Sequence, residues 1–243
     1  MSYRRLIMPP HAAEGMPPPA EAMPSVVLIT GGGRGIGAAV ARRFAALGHR
    51  VAIVARTRTQ LEAVGKETGA LPVVADLQHV AEIEAAHAKV VAALGPVDVL
   101  INNAGIVVRH LVEGHAQADW DAVLAVNLTA PFVFARCVVP SMRARGRGRI
   151  VNVSSISATL ASPGLAAYGA SKAGLLALTR ALALEVKGDG VIVTALCPGS
   201  VDTEMLRGSG FSPDMSPEDV AGMIHCLVSA PAAVSGSCVD MFG

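Results

Sequence analysis

From Ser25 onward, short apolar runs rich in β-branched residues alternate with longer stretches in which apolar residues recur at helical spacing. The runs predict strands over Val26–Thr30, Val51–Val54, Leu71–Ala75, Val97–Ile101, Ile150–Val153, Val191–Leu196 and Cys238–Met241. The stretches between them predict helices over Ile36–Leu47, Thr59–Thr68, Val80–Leu94, Trp120–Arg145, Tyr168–Val186 and Pro217–Val228. Continuous apolar strands separated by helices are typical of a parallel sheet covered on both faces. The pattern therefore predicts an α/β fold, a single doubly wound domain of about seven parallel strands.

The first 24 residues differ from the rest, because they are rich in proline and show little apolar periodicity. We expect Met1–Pro24 to be a disordered or loosely attached leader, followed by one domain over 25–243. A natural start at Met23 is an alternative.

Composition and charge argue against membrane, nucleic-acid-binding and metal-binding classes of protein. Hydrophobic residues make up 52% of the 243 residues, yet no uninterrupted apolar run approaches the ~18 residues of a membrane span, so we expect a soluble protein without a membrane partner. The formal net charge of +1 offers no field for nucleic acid. The four cysteines form no CxxC and mostly lie in apolar runs, which suits reduced, buried thiols in the cytoplasm. The histidines show no useful ligand spacing, His110 and His115 being the nearest approach, so we expect no metal.

A glycine-rich turn joins the first strand to the first helix, in the stretch Thr30 to Gly37. Glycines there allow a tight turn, a close approach of backbone N–H groups to a pyrophosphate, and close packing of the helix on the sheet. The sequence therefore predicts a Rossmann-type nucleotide site that includes Gly31, Arg34, Gly35, Ile36 and Gly37.

The end of the second strand indicates which nucleotide binds. A carboxylate there would hold the ribose 2′-hydroxyl of NAD, whereas an arginine would accept the 2′-phosphate of NADP. This chain has Arg56 at that point and Arg34 within the glycine turn, and its first acid after the strand is Glu62. With no competing acid, we expect NADP(H) to be preferred, with NAD(H) as the alternative.

Later strand ends supply further cofactor candidates. Asp76 is placed to accept a hydrogen bond from the adenine amine, with Leu77 packing on the ring. Asn103, Ala104 and Gly105 close the fourth predicted strand, where small residues let a flat nucleotide lie against the backbone and an amide can tie neighbouring strand ends together.

Tyr168 and Lys172 stand four residues apart, so on a helix they share one face. A phenol has a pKa of about 10 and becomes a useful acid or base near neutral pH when a neighbouring cation favours the phenolate, as Lys172 would. Ser154 and Ser155 follow a buried strand, so a hydroxyl projects at the carboxyl end of the sheet, where ligands bind. Asn127 lies within an apolar helix four residues before Pro131, whose missing N–H leaves the Asn127 carbonyl free to bind water at a helix kink.

Taken in order, the chain contains TGGGRGIG at 30–37, NNAG at 102–105, Asn127, the serine pair at 154–155, YGASK at 168–172 and PGSVDT at 198–203. This ordered set resembles the short-chain dehydrogenase/reductase family over essentially all of Ser25 to Gly243, and is similar to its tetrad-type members such as the 3-oxoacyl-[acyl-carrier-protein] reductases. The ending VDMFG and a short lid depart from the common family pattern.

The resemblance implies roles residue by residue. Ser155 would bind the substrate carbonyl, Ser154 being only its neighbour, and Tyr168 would exchange the proton. Lys172 would favour the phenolate and hold the ribose, and Asn127 would support a relay water. The segment that lines the nicotinamide would include Pro198, Gly199, Val201 and Thr203. Residues Asp202 to Met215 are identified as a mobile lid, and a homotetramer or homodimer is implied.

These observations predict an oxidoreductase that interconverts a ketone and a secondary alcohol, with a 3-oxoacyl thioester as one substrate. The alternatives are an alcohol, sugar or polyketide-pathway dehydrogenase on the same site, and a non-catalytic nucleotide-binding scaffold. The segment Thr159 to Ala167 is small and apolar, so we expect no charge on that side of the pocket for a strongly anionic substrate.

Overall fold

The computed structural model describes residues 25–207 and 209–242, so the predicted leader lies outside the described residues. Seven strands form one parallel sheet in the order β3-β2-β1-β4-β5-β6-β7. The strands are β1 Val26–Thr30, β2 Arg50–Ala55, β3 Leu71–Val74, β4 Val99–Asn102, β5 Gly148–Val153, β6 Val191–Pro198 and β7 Cys238–Met241. The order reverses between β1 and β4, which is the arrangement of a doubly wound fold. The predicted fold class is confirmed.

Helices cover both faces of this sheet. They are α1 Gly35–Ala46, α2 Arg58–Thr68, α3 Val80–Leu94, α4 Gln117–Leu124, α5 Ala130–Ala144, α6 Ala166–Glu185 and α7 Pro217–Ser229. Buried side chains of α1, α2 and α7 pack with one face of the strands, around Phe44 and Ile53. Those of α3, α5 and α6 pack with the other face, around Phe134 and Leu100. Two apolar layers therefore enclose the sheet, which explains why its strands lack alternation.

The predicted helix Trp120–Arg145 differs from the structure in its internal register. A π turn, Ala125–Thr129, separates α4 from α5, and the Ala130 N–H donates to Ala125 O. Pro131, the second residue of α5, has no N–H, so a regular helical bond to the Asn127 carbonyl cannot form. A one-residue insertion of this kind is commonly found at functional sites.

The long helix of residues Gln117–Ala144 is apolar enough to span a membrane by length and hydropathy alone, with a mean hydropathy of 1.9 over its best 18-residue window. More than half of that window, 56%, is buried. Phe134 and Met142 are fully buried in the layer that covers the sheet. The apolar character is that of a helix packed in the core.

An amide chain fixes the strands next to the site. Asn102 Nδ2 donates to Asn152 Oδ1 at 2.9 Å, and Asn152 Nδ2 donates to Thr179 Oγ1 at 2.9 Å. All three residues are buried, so each of these bonds replaces a bond to water that burial removed. The chain ties β4 to β5 and both strands to α6.

Gly37 is required by close packing, and replacing it with alanine is expected to destabilise the protein by about 2–3 kcal/mol. A Cβ at this position would overlap Gly31 O, a backbone atom that could shift only together with the glycine turn. Denaturant unfolding measures the change.

The matched control is Gly222→Ala, in the middle of α7, where a Cβ would meet nothing within 4 Å. That variant is expected to gain about 0.5–1 kcal/mol, because alanine is the better helix former. Equal and small effects at the two positions would contradict the packing argument.

Candidate active site

A cavity of about 810 Å³ opens at the carboxyl ends of the strands. It is lined by all but two of the site residues expected from the sequence: Gly31, Arg34, Gly35, Ile36, Arg56, Asp76, Leu77, Asn103, Ala104, Gly105, Ser155, Tyr168, Lys172, Pro198, Gly199, Val201 and Thr203. The two others, Gly37 and Asn127, are buried behind the lining.

The start of α1 presents uncapped backbone donors to this cavity. Arg34, the N-cap residue, makes no side-chain cap bond, and no acid lies in the first turn. The preceding Gly31 has φ 68° and packs so closely on the next strand end that a Cβ would lie 2.9 Å from Ala104 Cα. Free N–H groups at a helix N-terminus are suited to an anion such as a pyrophosphate.

The neighbouring strand end is fixed by Asn103. Its side-chain Nδ2 donates to Thr30 O at 2.9 Å, while the Asn103 and Ala104 N–H groups donate to Thr30 Oγ1 at 3.0 Å. The amide therefore ties the ends of β1 and β4 together, as its position in the sequence indicated.

Asp76 and Leu77, the residues expected to contact the adenine, differ in detail from that expectation. Asp76 Oδ1 accepts from the Gln78 N–H at 3.0 Å, and the Asp76 N–H donates to Glu82 Oε2 at 2.8 Å, so the carboxylate is held at the cavity wall. Leu77 is only 5% exposed and belongs mainly to the core.

The two arginines expected to bind the cofactor have different surroundings. Arg56 is exposed beside the N-terminus of α2, where Thr57 makes no side-chain cap bond. Arg34 pairs with Glu204, a carboxylate from the loop after β6. The sequence near the second strand gave no sign of this partner, which lies 170 residues from Arg34.

Tyr168 and Lys172 lie one turn apart on α6 and face Ser155. Lys172 is 3% exposed, its Nζ donates to Val153 O at 2.8 Å, and the same Nζ lies 5.7 Å from the centroid of the Tyr168 ring. Ser155 Oγ accepts from the Ser157 N–H at 3.1 Å, which leaves its proton free for the cavity. Ser154 Oγ donates to Lys172 O at 3.0 Å and so braces α6.

Burial has the largest influence on the pKa values of Tyr168 and Lys172. It raises the pKa of Tyr168, against the opposing effects of the Ser155 hydroxyl and the Arg109 charge. Burial also lowers the pKa of Lys172 to about 8, because the charged form loses its hydration. Arg109 contributes a charge that favours the Tyr168 phenolate, and the sequence analysis missed this residue because it stands in a loop without a motif.

Asn127 is fully buried, and its side chain bonds to residues that are distant in the sequence. Its Oδ1 accepts from the Ile106 N–H at 2.8 Å, and its Nδ2 donates to Ile106 O at 2.9 Å and to Ser171 Oγ at 3.0 Å. Ser171 Oγ in turn donates to Tyr168 O at 2.7 Å. The asparagine therefore joins the loop after β4 to the turn of α6 that carries Tyr168.

The short chain dehydrogenase family model matches residues 25–211, which include the glycine turn, the Asn127 bracket and the Tyr168–Lys172 pair. The chain belongs to this family. It is therefore an oxidoreductase that uses a nicotinamide cofactor, and its fold and cavity are those of a short-chain dehydrogenase.

Named relatives of this dehydrogenase act on different substrates. A probable galactose dehydrogenase of Rhizobium meliloti is 43% identical over 74% of this chain and 73% of its own length. Actinorhodin polyketide ketoreductase, solved as a variant with NADPH, has a TM-score of 0.85 and 34% identity over 90% of this chain and 96% of its own. A 3-ketoacyl-(acyl-carrier-protein) reductase of Brucella melitensis, solved with NADH, has a TM-score of 0.83 and 32% identity. The match covers 89% of this chain and 96% of the reductase.

The predicted lid of this dehydrogenase forms a loop with a closed base. Val201 and Met215 pair through an isolated parallel bridge, and both are buried. The Asp202 N–H donates to Met215 O at 2.9 Å, and the Asp214 N–H donates to Ser200 O at 2.9 Å. The base is therefore fixed, while the intervening residues reach over the cavity with exposed side chains at Met205 and Phe211.

The substrate end of the cavity combines apolar and cationic side chains. The apolar ones include Leu160 and Leu165 from the wall segment expected from the sequence, and they also include residues of the predicted lid: Met205, Leu206 and Phe211. The segment Thr159 to Ala167 has no charge, as expected, but Arg109 and Arg207 reach the same cavity from two other loops. Within residues 25–207 and 209–242, neither arginine has a carboxylate within 4.0 Å.

Two sequence expectations outside the cavity have mixed outcomes. All four cysteines are free, but only Cys197 is buried and Cys226 is exposed, so the expectation of buried thiols was wrong for Cys226. His110 and His115 lie 6.1 Å apart between ring centroids. Among the described residues no group of three potential ligands could hold a metal ion.

Proposed function

We propose that this short-chain dehydrogenase is an NADP(H)-dependent reductase of ketones, with 3-oxoacyl thioesters as the substrate class. The observation that carries the proposal is the presence, in one cavity, of the Tyr168, Lys172 and Ser155 side chains together with Arg56 and the uncapped start of α1. Interconversion of a ketone and a secondary alcohol needs both the side chains that exchange the proton and the groove that binds the cofactor.

The residues fit the cofactor at each part of the groove. The N–H groups at the start of α1 would hold the pyrophosphate, and Arg56 with Arg34 would hold the 2′-phosphate. The nicotinamide would lie near Gly199 and Thr203. When bound, the cofactor supplies or accepts a hydride, and this chain's residues handle the proton.

In reduction, Ser155 would donate to the substrate carbonyl oxygen, and Tyr168 would transfer its proton to the same oxygen as negative charge develops there. Burial of Tyr168 raises its pKa, so the phenol keeps its proton at neutral pH. Lys172, held by Val153 O, would contact the ribose hydroxyls and stabilise the phenolate left behind. Asn127 would position the turn that carries Tyr168 and, through its carbonyl at the π turn, hold a relay water.

The cavity wall supports a thioester as the substrate. Its apolar residues, including Leu160 and Phe211, suit an acyl chain, and Arg109 and Arg207 suit the phosphate of a phosphopantetheine arm. An alcohol, sugar or polyketide-pathway dehydrogenase is the second candidate, favoured by the similarity to a probable galactose dehydrogenase. A non-catalytic scaffold would have no need for Ser155, Tyr168 and Lys172 together.

The proposal includes the cellular location and the oligomeric state of the enzyme. We place it in the cytoplasm, since its cysteines are free. A homotetramer or homodimer would form through the outer faces of α5 and α6, where Phe132 and Leu184 are exposed.

Arg56→Asp is expected to remove a preference for NADPH over NADH, because it replaces the cation at the 2′-phosphate with an anion. Binding titration by cofactor fluorescence measures both dissociation constants. We expect the wild type to bind NADPH about tenfold or more tightly than NADH, since hydrogen bonds to charged groups contribute about 1.5–3 kcal/mol.

Arg58→Asp is the matched control. Arg58 is exposed two residues further on, pairs with Glu62 at 3.7 Å and does not line the cavity, so its variant should keep the preference. Equal binding of the two cofactors by the wild type would refute the preference for NADP(H).

A further inference from the structure

The pairing of Arg34 with Glu204 joins the cofactor groove to the lid. Arg34 is the N-cap residue of α1 and lines the cavity together with Arg56, Thr57 and Gln60. Glu204 lies three residues beyond Val201 in the buried base of the lid, and it also lines the cavity. The contact is therefore a second attachment of the lid, made across the mouth of the groove.

The backbone around the pair holds the two elements close together. A Cβ on Gly35 would lie 3.2 Å from Thr203 Cγ2, so the start of the lid rests on the glycine turn. Beyond Glu204 the lid forms successive tight turns, in which the Leu206 N–H donates to Thr203 O at 3.0 Å and the Arg207 N–H to Glu204 O at 3.2 Å. Glu204 is thus carried by a structured turn that belongs to the lid.

The Arg34 guanidinium cannot pair fully with Glu204 and with a 2′-phosphate at the same time. The side chains of Arg34 and Glu204 are 58% and 60% exposed, so their attraction is weak and easily displaced. A 2′-phosphate carries more negative charge than a carboxylate and forms charge-assisted bonds with a guanidinium fork. Without that phosphate, the ribose end of a cofactor offers Arg34 no anion to compete with Glu204.

We propose that Glu204 is a specificity residue that competes with the 2′-phosphate for Arg34, so that NADP(H), and not NAD(H), releases the lid from the glycine turn. This inference rests on the proposed use of NADP(H). By thermodynamic reciprocity, the lid attachment must weaken binding of the phosphorylated cofactor by the same factor as that cofactor weakens the attachment.

The test uses two probes that differ by one phosphate and lack the nicotinamide, namely 2′,5′-ADP and 5′-AMP. Calorimetric titration of Glu204→Gln is expected to show 2′,5′-ADP binding about two- to fivefold more tightly than to the wild type, with 5′-AMP unchanged, in keeping with an exposed ion pair. The gain should shrink at high salt. The control is Glu67→Gln, which removes an equally exposed carboxylate that pairs with Arg42 away from the cavity.

Hydrogen exchange measures the lid directly. In the wild type, 2′,5′-ADP should speed exchange of the lid amides, including those of Leu206 and Arg207, relative to 5′-AMP. In Glu204→Gln these amides should exchange fast with either probe. In an Arg34→Gln background, Glu204→Gln should no longer affect binding.

Three results would overturn the inference. Glu204→Gln could change the affinities for both probes equally, or change neither affinity. Its effect on binding could also persist in the Arg34→Gln background. If the wild type binds 2′,5′-ADP no more tightly than 5′-AMP and Arg56→Asp changes nothing, the NADP(H) proposal itself fails. If the wild type does prefer 2′,5′-ADP but Glu204→Gln leaves that preference and the exchange rates unchanged, only the role of Glu204 fails.

Discussion

Tyr168→Phe is expected to lower kcat for ketone reduction by about 10²–10⁴-fold, the usual contribution of a positioned proton donor. The substitution removes only the hydroxyl, which faces Ser155 in the cavity, while the ring stays between Lys172 and the cavity wall. Cofactor affinity should therefore change little. Steady-state kinetics with the acetoacetyl thioester of N-acetylcysteamine, together with cofactor titration, measures both quantities.

The direction of the reaction adds a second check on this role. Burial raises the pKa of Tyr168, so the phenol holds its proton through the neutral range. The wild-type reduction should therefore vary little with pH near neutrality. Oxidation of the alcohol needs the phenolate and should become faster as the pH rises. A Tyr168→Phe variant that retains most of its kcat would show that the proton comes from another group.

Lys172→Met is expected to stabilise the cofactor-free protein at neutral pH by about 1–2 kcal/mol while it abolishes turnover. Burial lowers the pKa of Lys172 from 10.5 to about 8, and a shift of this size corresponds to a cost of about 3 kcal/mol for keeping the charged form buried. Methionine fills a similar volume without charge. The gain is reduced by about 1 kcal/mol because Val153 O loses its donor.

The sign of the pH dependence follows from the lowered pKa. The unfolded chain binds the Lys172 proton more tightly than the folded chain does, so the cost is fully present below pH 8 and disappears as the pH rises towards 10.5. Denaturant unfolding across this range should show the advantage of Lys172→Met falling and then reversing. Lys89→Met, at an exposed lysine of α3, is the control and should show no such dependence. A variant that is less stable by the same amount at every pH would contradict the argument.

The cofactor half of the cavity could be predicted from the sequence because its residues follow strands directly. The glycine turn after β1, Asn103 after β4 and Ser155 after β5 reach one edge of the sheet once the strands are known to be parallel. Tyr168 and Lys172 could be paired because helical spacing fixes their shared face. These inferences need only local periodicity and one rule of sheet geometry.

Side chains from loops could not be predicted in this way. Arg109, Arg207 and Glu204 line the cavity from segments without periodicity, so nothing local indicates where they lie. The pairing of Arg34 with Glu204 joins positions 170 residues apart and depends on how the lid crosses the groove. The same holds for Lys172, because its lowered pKa results from burial by elements that the sequence does not place around it.

The π turn is an intermediate case. Pro131 in the sequence indicated that the Asn127 carbonyl lacks a regular helical partner, and the structure shows an inserted residue at Ala125–Thr129. The structure alone decided that the Asn127 side chain joins Ile106 to Ser171. The sequence by itself therefore determined the sheet, the edge at which the cavity opens and the grouping of the proposed reacting residues, because these depend on short-range spacing. Only the tertiary structure decided burial, charge pairing and the attachment of the lid, because these depend on contacts between residues far apart in the chain.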